Sequence, residues 1–168
     1  MTGFDNWRQL TENDLPDLLK VQEEAYPHHQ EQADIFRDRM RLYPQGCLGL
    51  DGRDGEGLAG YILSHPWTAE DPPELHSPLG ALPEKPSTYY LHDLALLKSA
   101  HGKGLGARLV RHLTEHAGVC GFTTMSLIAV NRSAPFWERQ GFRARLMPSL
   151  TKKLATYGDD AVFMTRDL

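Results

Sequence analysis

His92 and Asp93 are two proton-handling side chains set side by side in an otherwise apolar run, YYLHDLALL, from Tyr89 to Leu97. A run of this kind reads as a strand covered on both faces. Histidine titrates close to neutral pH and can serve as a general base. Asp93 is the alternative base, or a group that orients a neighbour. Side chains alternate across a strand, so the two are expected on opposite faces. Directly downstream comes HGKGLGA, His101 to Ala107. Its glycines let the backbone turn tightly and approach a ligand with no Cβ in the way. From Leu105 onward, Leu105, Gly106, Leu109, Val110, Leu113 and Ala117 fall on one helical face. A helix that begins inside a glycine loop presents unpaired N–H groups at the positive end of its dipole, a site suited to phosphate.

An ordinary tight turn ahead of a helix would also use three glycines, so the surrounding residues decide. A Walker A loop needs Ser or Thr after Gly-Lys, and Lys103 is followed by Gly104. A dinucleotide fingerprint fits Gly102, Gly104 and Ala107 loosely but needs an acidic ribose partner about 20 residues on. Between Glu115 and Glu138 the chain has no Asp or Glu. A third arrangement extends beyond the glycines. LHDLAL followed by HGKGLG, and further on NRSAPFWERQGF, resemble the two central motifs of the GNAT superfamily of acyl-CoA N-acyltransferases. In the first motif His101 stands where Gln or Arg is usual. Asn131, Ala134, Phe136, Glu138, Gly141 and Phe142 carry the second, with Trp137 at the position of the family Tyr. Together the motifs cover Tyr89 to Phe142.

This resemblance implies that the backbone of Leu94, Ala95 and Leu96 holds the pantetheine arm of acetyl-CoA. The N–H groups of His101, Gly102, Lys103, Gly104, Leu105, Gly106 and Ala107 would take the pyrophosphate. Lys103 and Arg108 would add positive charge nearby, or simply be solvated. Asn131 and the short helix around Phe136 and Arg139 would flank the far side, although Asn131 reads equally as a turn residue capping the next helix. His92 is the first candidate for the base, in a His-x-Leu-Ala context similar to that of arylalkylamine acetyltransferases. A backbone N–H near Leu94 would meet the oxyanion. Trp137 departs from the pattern, because an indole N–H does not donate a proton near neutral pH. Tyr157 or Tyr90 would have to substitute, or the coenzyme thiolate, with a pKa of about 8.5 like cysteine, leaves unprotonated. The implied activity is acetyl transfer to a primary amine of a small molecule by direct attack in a ternary complex, with no metal. The alternative from another class is a catalytically silent acyl-CoA-binding sensor or partner module. Relatives often form homodimers.

With 168 residues, 40% of them hydrophobic, the chain can build one domain across 1–168. A net charge of −4 has the wrong sign for a nucleic-acid binder. No stretch reaches the roughly 18 apolar residues of a membrane span. MTGFDNWRQL lacks the apolar core of a signal peptide, and Cys47 and Cys120 are too few for a disulfide framework. A cytoplasmic location is the expectation.

The elements read in order as a first strand from Phe4 to Leu10, then a helix after a Thr11–Asp14 capping box. A second helix spans about Gln32 to Tyr43. Strands Cys47–Leu50 and Leu58–Ser64 flank a hairpin turn, and the proline-rich, acidic stretch Pro66–Pro86 follows. That stretch is either a substrate-side lid, its Glu70, Asp71, Glu74 and Glu84 suiting a cationic acceptor, or a surface excursion. After the central strand and helix come a strand, Phe122–Val130, and a helix capped by Ser133 with Pro135 in its first turn. The tail holds one or two strands, with one at Ala161–Thr165. This predicts an α/β (α+β mixed) fold: a mostly antiparallel six- to seven-stranded sheet with one splayed parallel pair, flanked by about four helices. His28 and His29, with Tyr26, lie in a linker that helps form the acceptor site in relatives. His112 and His116, one turn apart, read as helix-border residues more than metal ligands. Cys120 reads as a small core residue.

Overall fold

The capping box forms as expected. Thr11 N–H donates to Asp14 Oδ2 at 2.8 Å, and helix α1, Leu15–Ala25, follows, burying Leu15, Leu18 and Val21. The computed structural model describes residues 7–168. The first strand, β1, is Trp7–Gln9; the part of the expected strand before Trp7 lies outside the described residues. Helix α2 is Ala33–Leu42, and β2, Cys47–Asp51, turns back into β3, Leu58–Trp67. Then come β4, Thr88–Leu96; α3, Leu105–Val119; β5, Thr124–Ala129; and α4, Ala134–Arg139. The tail is β6, Arg143–Ala144; α5, Thr151–Tyr157; and β7, Val162–Asp167. Helix α5 is absent from the expected order. It is a seven-residue helix between Pro148 and Gly158, too short to show helical periodicity.

The sheet order is β1-β2-β3-β4-β5-β7-β6, and among the described residues β4 and β5 form the one parallel pair. Helix α3 packs on one face, where Leu109 and Leu113 are fully buried against Ile62, Tyr89, Leu91 and Leu127. Burying each such leucine contributes about 1.5–3 kcal/mol. Helices α1 and α2 cover the other face through Leu18, Val21 and Phe36 against Tyr61, Leu63 and Ala95. Helix α5 and the turn before it extend that cover through Tyr157 and Leu150 against Ile128 and Phe163. Ser133 precedes α4 but makes no side-chain cap, and Gly141, at φ 91°, ends that turn. Cys120 is exposed rather than in the core, because α3 ends just before it.

Two irregularities in β4 shape the centre. Beside β5 it is paired across three residues, Tyr89 to Leu91, while beside β3 it is paired all the way to Leu96. Beyond Leu91 the parallel strands therefore fork. On the β3 side, Leu63 faces Asp93 but Ser64 faces Leu91, so His92 is the extra residue of a β-bulge. The bulge reverses the alternation. Tyr89 and Leu91 pack toward α3 before it, and Leu94 and Leu96 do so after it.

Candidate active site

The bulge places His92 and Asp93 on the same side of β4, against the expectation that alternation separates them. His92 Nε2 lies 2.6 Å from Glu31 Oε1, with the two side chains 1% and 3% exposed. Asp93 Oδ2 accepts from the Tyr61 hydroxyl at 2.6 Å. Both residues line an inner cavity of about 30 Å³, together with Tyr26, His29, Leu75 and Tyr157. Tyr26 and Val130 are shared between this cavity and a larger cleft of about 420 Å³ at the fork.

The cleft is walled by Leu94, Ala95 and Leu96 on one side and by Val130, Asn131, Ser133 and Phe136 on the other. Leu97 N–H donates to Ala59 O at 2.8 Å, so in this antiparallel ladder residues 93, 95 and 97 bond toward β3. Leu94 and Leu96 direct their N–H and C=O groups the other way, into the fork. Two contacts agree with this: the Tyr26 hydroxyl donates to Leu94 O, and His101 Nε2 donates to Leu96 O at 3.0 Å. A strand edge with polar backbone facing a cleft can pair with an extended amide-bearing chain, and the pantetheine arm is such a chain.

At the mouth, Gly102 and Gly104 have φ of 76° and 71°, and Gly104 is the N-cap of the fifteen-residue α3. The left-handed region strains any residue with a Cβ. Gly106 is needed for another reason. A Cβ there would lie 3.3 Å from the Phe136 ring, so its absence lets α4 close against the loop. Lys103 does not face the cleft; it lines a separate hollow of about 540 Å³ with Arg53 and Leu105. That hollow is larger than the cleft but lies away from the forked strands, so size does not locate the chemistry. Asn131 and Arg132 both have positive φ, 54° and 59°, in the turn that leads from β5 to α4. Asn131 thus serves as a turn residue and also lines the cleft.

Charges in the inner cavity are set by burial and by each other. Burial is the main force on Asp93 and, with Glu31 nearby, raises its pKa to about 7, against the opposing pull of His92 and the Tyr61 hydroxyl. Burial would also raise Glu31. Its bonds to His92 and to the His76 N–H, with Arg39 close by, overcome that and hold it down at about 2. Tyr26 and Tyr61 are pushed well above the usual phenol range by burial and by Asp93.

The long loop is strapped down over this site. Asp38 accepts from the Leu79 and Gly80 N–H groups at 2.6 and 3.1 Å, and the fully buried Arg39 donates to Ser77 O at 3.0 Å. Tyr157 donates its hydroxyl to Pro73 O at 2.6 Å. Two of the loop's acids are neutralised at the surface, Glu70 by Arg145 and Asp71 by Lys153, each at 3.1 Å. Negative charge at the cavity comes instead from Glu31, held ionised, and from the ionised fraction of Asp93. Trp137, at the family Tyr position, is 7% exposed and packs edge-on against Phe142, so Phe136 lines the cleft in its place. His116 bonds the Tyr43 hydroxyl at 2.7 Å, as a helix-border residue would. His29 lines the inner cavity, whereas His28 is exposed. Glu31 and Tyr61 were not singled out in the sequence. They lie 61 and 32 residues from their partners on β4, and no local spacing connects them.

The fold that carries this cleft is shared with known proteins. The sequence model of the acetyltransferase (GNAT) family matches residues 6–142, and the chain belongs to that family. It is an acyltransferase domain with a GNAT-type fold. Among solved structures, the loading GNATL domain of CurA from Lyngbya majuscula is 18% identical, with a TM-score of 0.78 over 96% of each chain. The GphF GNAT-like decarboxylase in complex with isobutyryl-CoA is 14% identical, with a TM-score of 0.76 over 96% of this chain and 98% of that one. The NatC complex bound to Gag peptide and CoA is 16% identical, with a TM-score of 0.71 over 96% and 97%. No curated protein matches the chain significantly in sequence. Among the described residues no helix is long and apolar enough to cross a membrane.

Proposed function

We propose that the protein transfers an acetyl group from acetyl-CoA to the primary amine of a small molecule, by direct attack in a ternary complex. The observation that carries this reading is the bulge at His92. It brings two proton-handling side chains to the inner end of the cleft whose wall is the free backbone edge of Leu94 and Leu96. Leu94, Ala95 and Leu96 hold the pantetheine arm. The N–H groups from His101 to Ala107 take the pyrophosphate at the start of α3. Asn131 and Phe136 close the far wall.

A primary amine is mostly protonated at neutral pH, with a pKa of about 10.4 for a lysine-like group, and must lose a proton to attack. His92 is the base, and Asp93 and Glu31 attract the cationic amine beforehand. Leu94 N–H, in the forked segment, stabilises the charge that develops on the thioester oxygen. Loss of a tyrosine at 137 removes no proton donor from the cleft, because that position faces the core; the thiolate leaves unprotonated or takes a proton from solvent. The small inner cavity and the strapped loop favour a compact acceptor over a peptide, even though NatC holds a peptide on a similar fold. Trp137 stands in place of the family Tyr, but its side chain lies in the core, so that departure is no argument for a silent acyl-CoA-binding module.

Release of thiol from acetyl-CoA, followed across small amines, polyamines, amino acids and peptides, tests this directly, with calorimetric binding of acetyl-CoA alongside. Turnover with a small amine supports the proposal, and turnover restricted to peptides overturns the small-molecule assignment. Tight binding without turnover identifies the silent module. Absence of both removes acyl-CoA from the reading.

A further inference from the structure

Glu31 lies in the linker between α1 and α2, outside every motif, yet it is among the most firmly held side chains of the site. Its backbone is pinned to α1 by Gln22, which accepts from the Glu31 N–H at 2.7 Å and donates to its carbonyl at 3.0 Å. One carboxylate oxygen lies 2.6 Å from His92 Nε2, and the other accepts the His76 N–H of the long loop at 2.9 Å. A carboxylate can only accept, so His92 must present Nε2–H to it. That leaves Nδ1, which is buried and has no hydrogen-bond partner among the described residues, with its lone pair bare. We propose that Glu31 is a positioning residue: it selects the His92 tautomer with Nδ1 free to take the amine proton, and it supports the imidazolium that results.

This inference rests on the acyl-transfer reading. The proton balance is simple. The ammonium gives its proton to Nδ1, directly or through the inner cavity, whose 30 Å³ holds about one water. His92 then carries the positive charge beside ionised Glu31, and the neutral amine attacks the thioester. The charged and titrating groups around the pair are Asp93 on β4, His65 on β3, Arg39 on α2 and His29 in the linker. The phenols of Tyr26, Tyr61 and Tyr157 stay neutral, because burial lifts them far above the working range. Among the described residues Glu31 is the one carboxylate hydrogen-bonded to the imidazole; Asp93 accepts its hydrogen bond from the Tyr61 hydroxyl.

Nitrogen-15 NMR of the imidazoles in the full chain reads the dyad without any turnover. The expected result is His92 protonated on Nε2, with that proton far downfield in the wild type and shifted upfield in Glu31→Gln. In kinetics, Glu31→Gln lowers kcat about tenfold or more, while acetyl-CoA affinity stays within about twofold. Glu31→Asp recovers part of the rate. In a His92→Ala background Glu31→Gln costs nothing further, which a merely structural role would not give. A wild-type His92 protonated on Nδ1, or an equal loss from Glu31→Gln in the His92→Ala background, would overturn the proposal. If Glu31→Gln fails to fold, the wild-type spectrum and Glu31→Asp decide. If no amine turns over, the functional reading fails, and the spectrum still decides the dyad.

Discussion

A histidine only 1% exposed and bonded to a buried carboxylate has a counter-charge already in place. Replacing His92 with alanine therefore separates holding from transfer. We expect His92→Ala to cut turnover by about tenfold or more while acetyl-CoA binds nearly as before, since the proposed donor site is built from backbone groups. Turnover unchanged in a thiol-release assay would remove His92 from the chemistry. Trp137 is a residue of the opposite kind. Its ring stacks at 4.9 Å from Phe136 and 5.6 Å from Phe142, inside the layer under α3. Trp137→Tyr should leave kcat within about twofold and cost about 1–3 kcal/mol of stability through lost packing. A large gain in turnover from that variant would show that position 137 reaches the reacting atoms after all.

Between β4 and β5 the sheet gives up hydrogen bonds and leaves a free backbone edge, and the glycine loop lies at the mouth of that edge. Gly104 combines both needs of the loop. Its φ of 71° is left-handed, and an added Cβ would meet no atom within 4 Å. The cost of Gly104→Ala to the folded chain is then backbone strain alone, about 1–2 kcal/mol. On the proposed function, however, the open space beside Gly104 is where the pyrophosphate would approach the loop, and a Cβ would intrude on it. We predict at least a roughly tenfold weaker acetyl-CoA affinity by calorimetry, beside a thermal shift no larger than that strain implies. Equal affinities would place the pyrophosphate elsewhere.

Across the whole molecule, burial pulls two groups in opposite directions near neutrality. His65 is held neutral and its pKa lowered to about 3, so the unfolded chain binds the extra proton and stability falls as pH drops from about 6.5. Asp93 is raised to about 7, so the folded chain binds the extra proton and stability falls as pH rises from about 4 to 7. The two slopes oppose each other over the same window. Glu31 and Asp14, both lowered to about 2, add stability above the usual carboxylate range and lose it as pH falls below about 4.5. Melting temperature should therefore be nearly level between about pH 5 and 7 and drop steeply below pH 4.5. Asp93→Asn removes one slope, and its melting temperature should climb with pH across the level window. A curve of unchanged shape would mean that Asp93 is not the buried, raised carboxyl described above.

The amino-acid sequence by itself determined the glycine loop, the apolar strand before it, the amphipathic helix after it and the second motif around Phe136. Each is a local pattern within a dozen or so residues, and local patterns report directly on backbone conformation and on which face is buried. That was enough for the family and for the wall of the cleft at Leu94 to Leu96. The inner cavity was decided by tertiary structure. A bulge is a mismatch between two strands, so nothing in β4 alone announces that His92 and Asp93 share a side. Glu31 and Tyr61 join them only when α2 and β3 pack against β4, from 61 and 32 residues away. Helix α5 is too short for its period to show. Trp137 sits beside Phe136 in the chain, and the packing of α4 against α3 and β7 decided which ring entered the core and which faced the cleft.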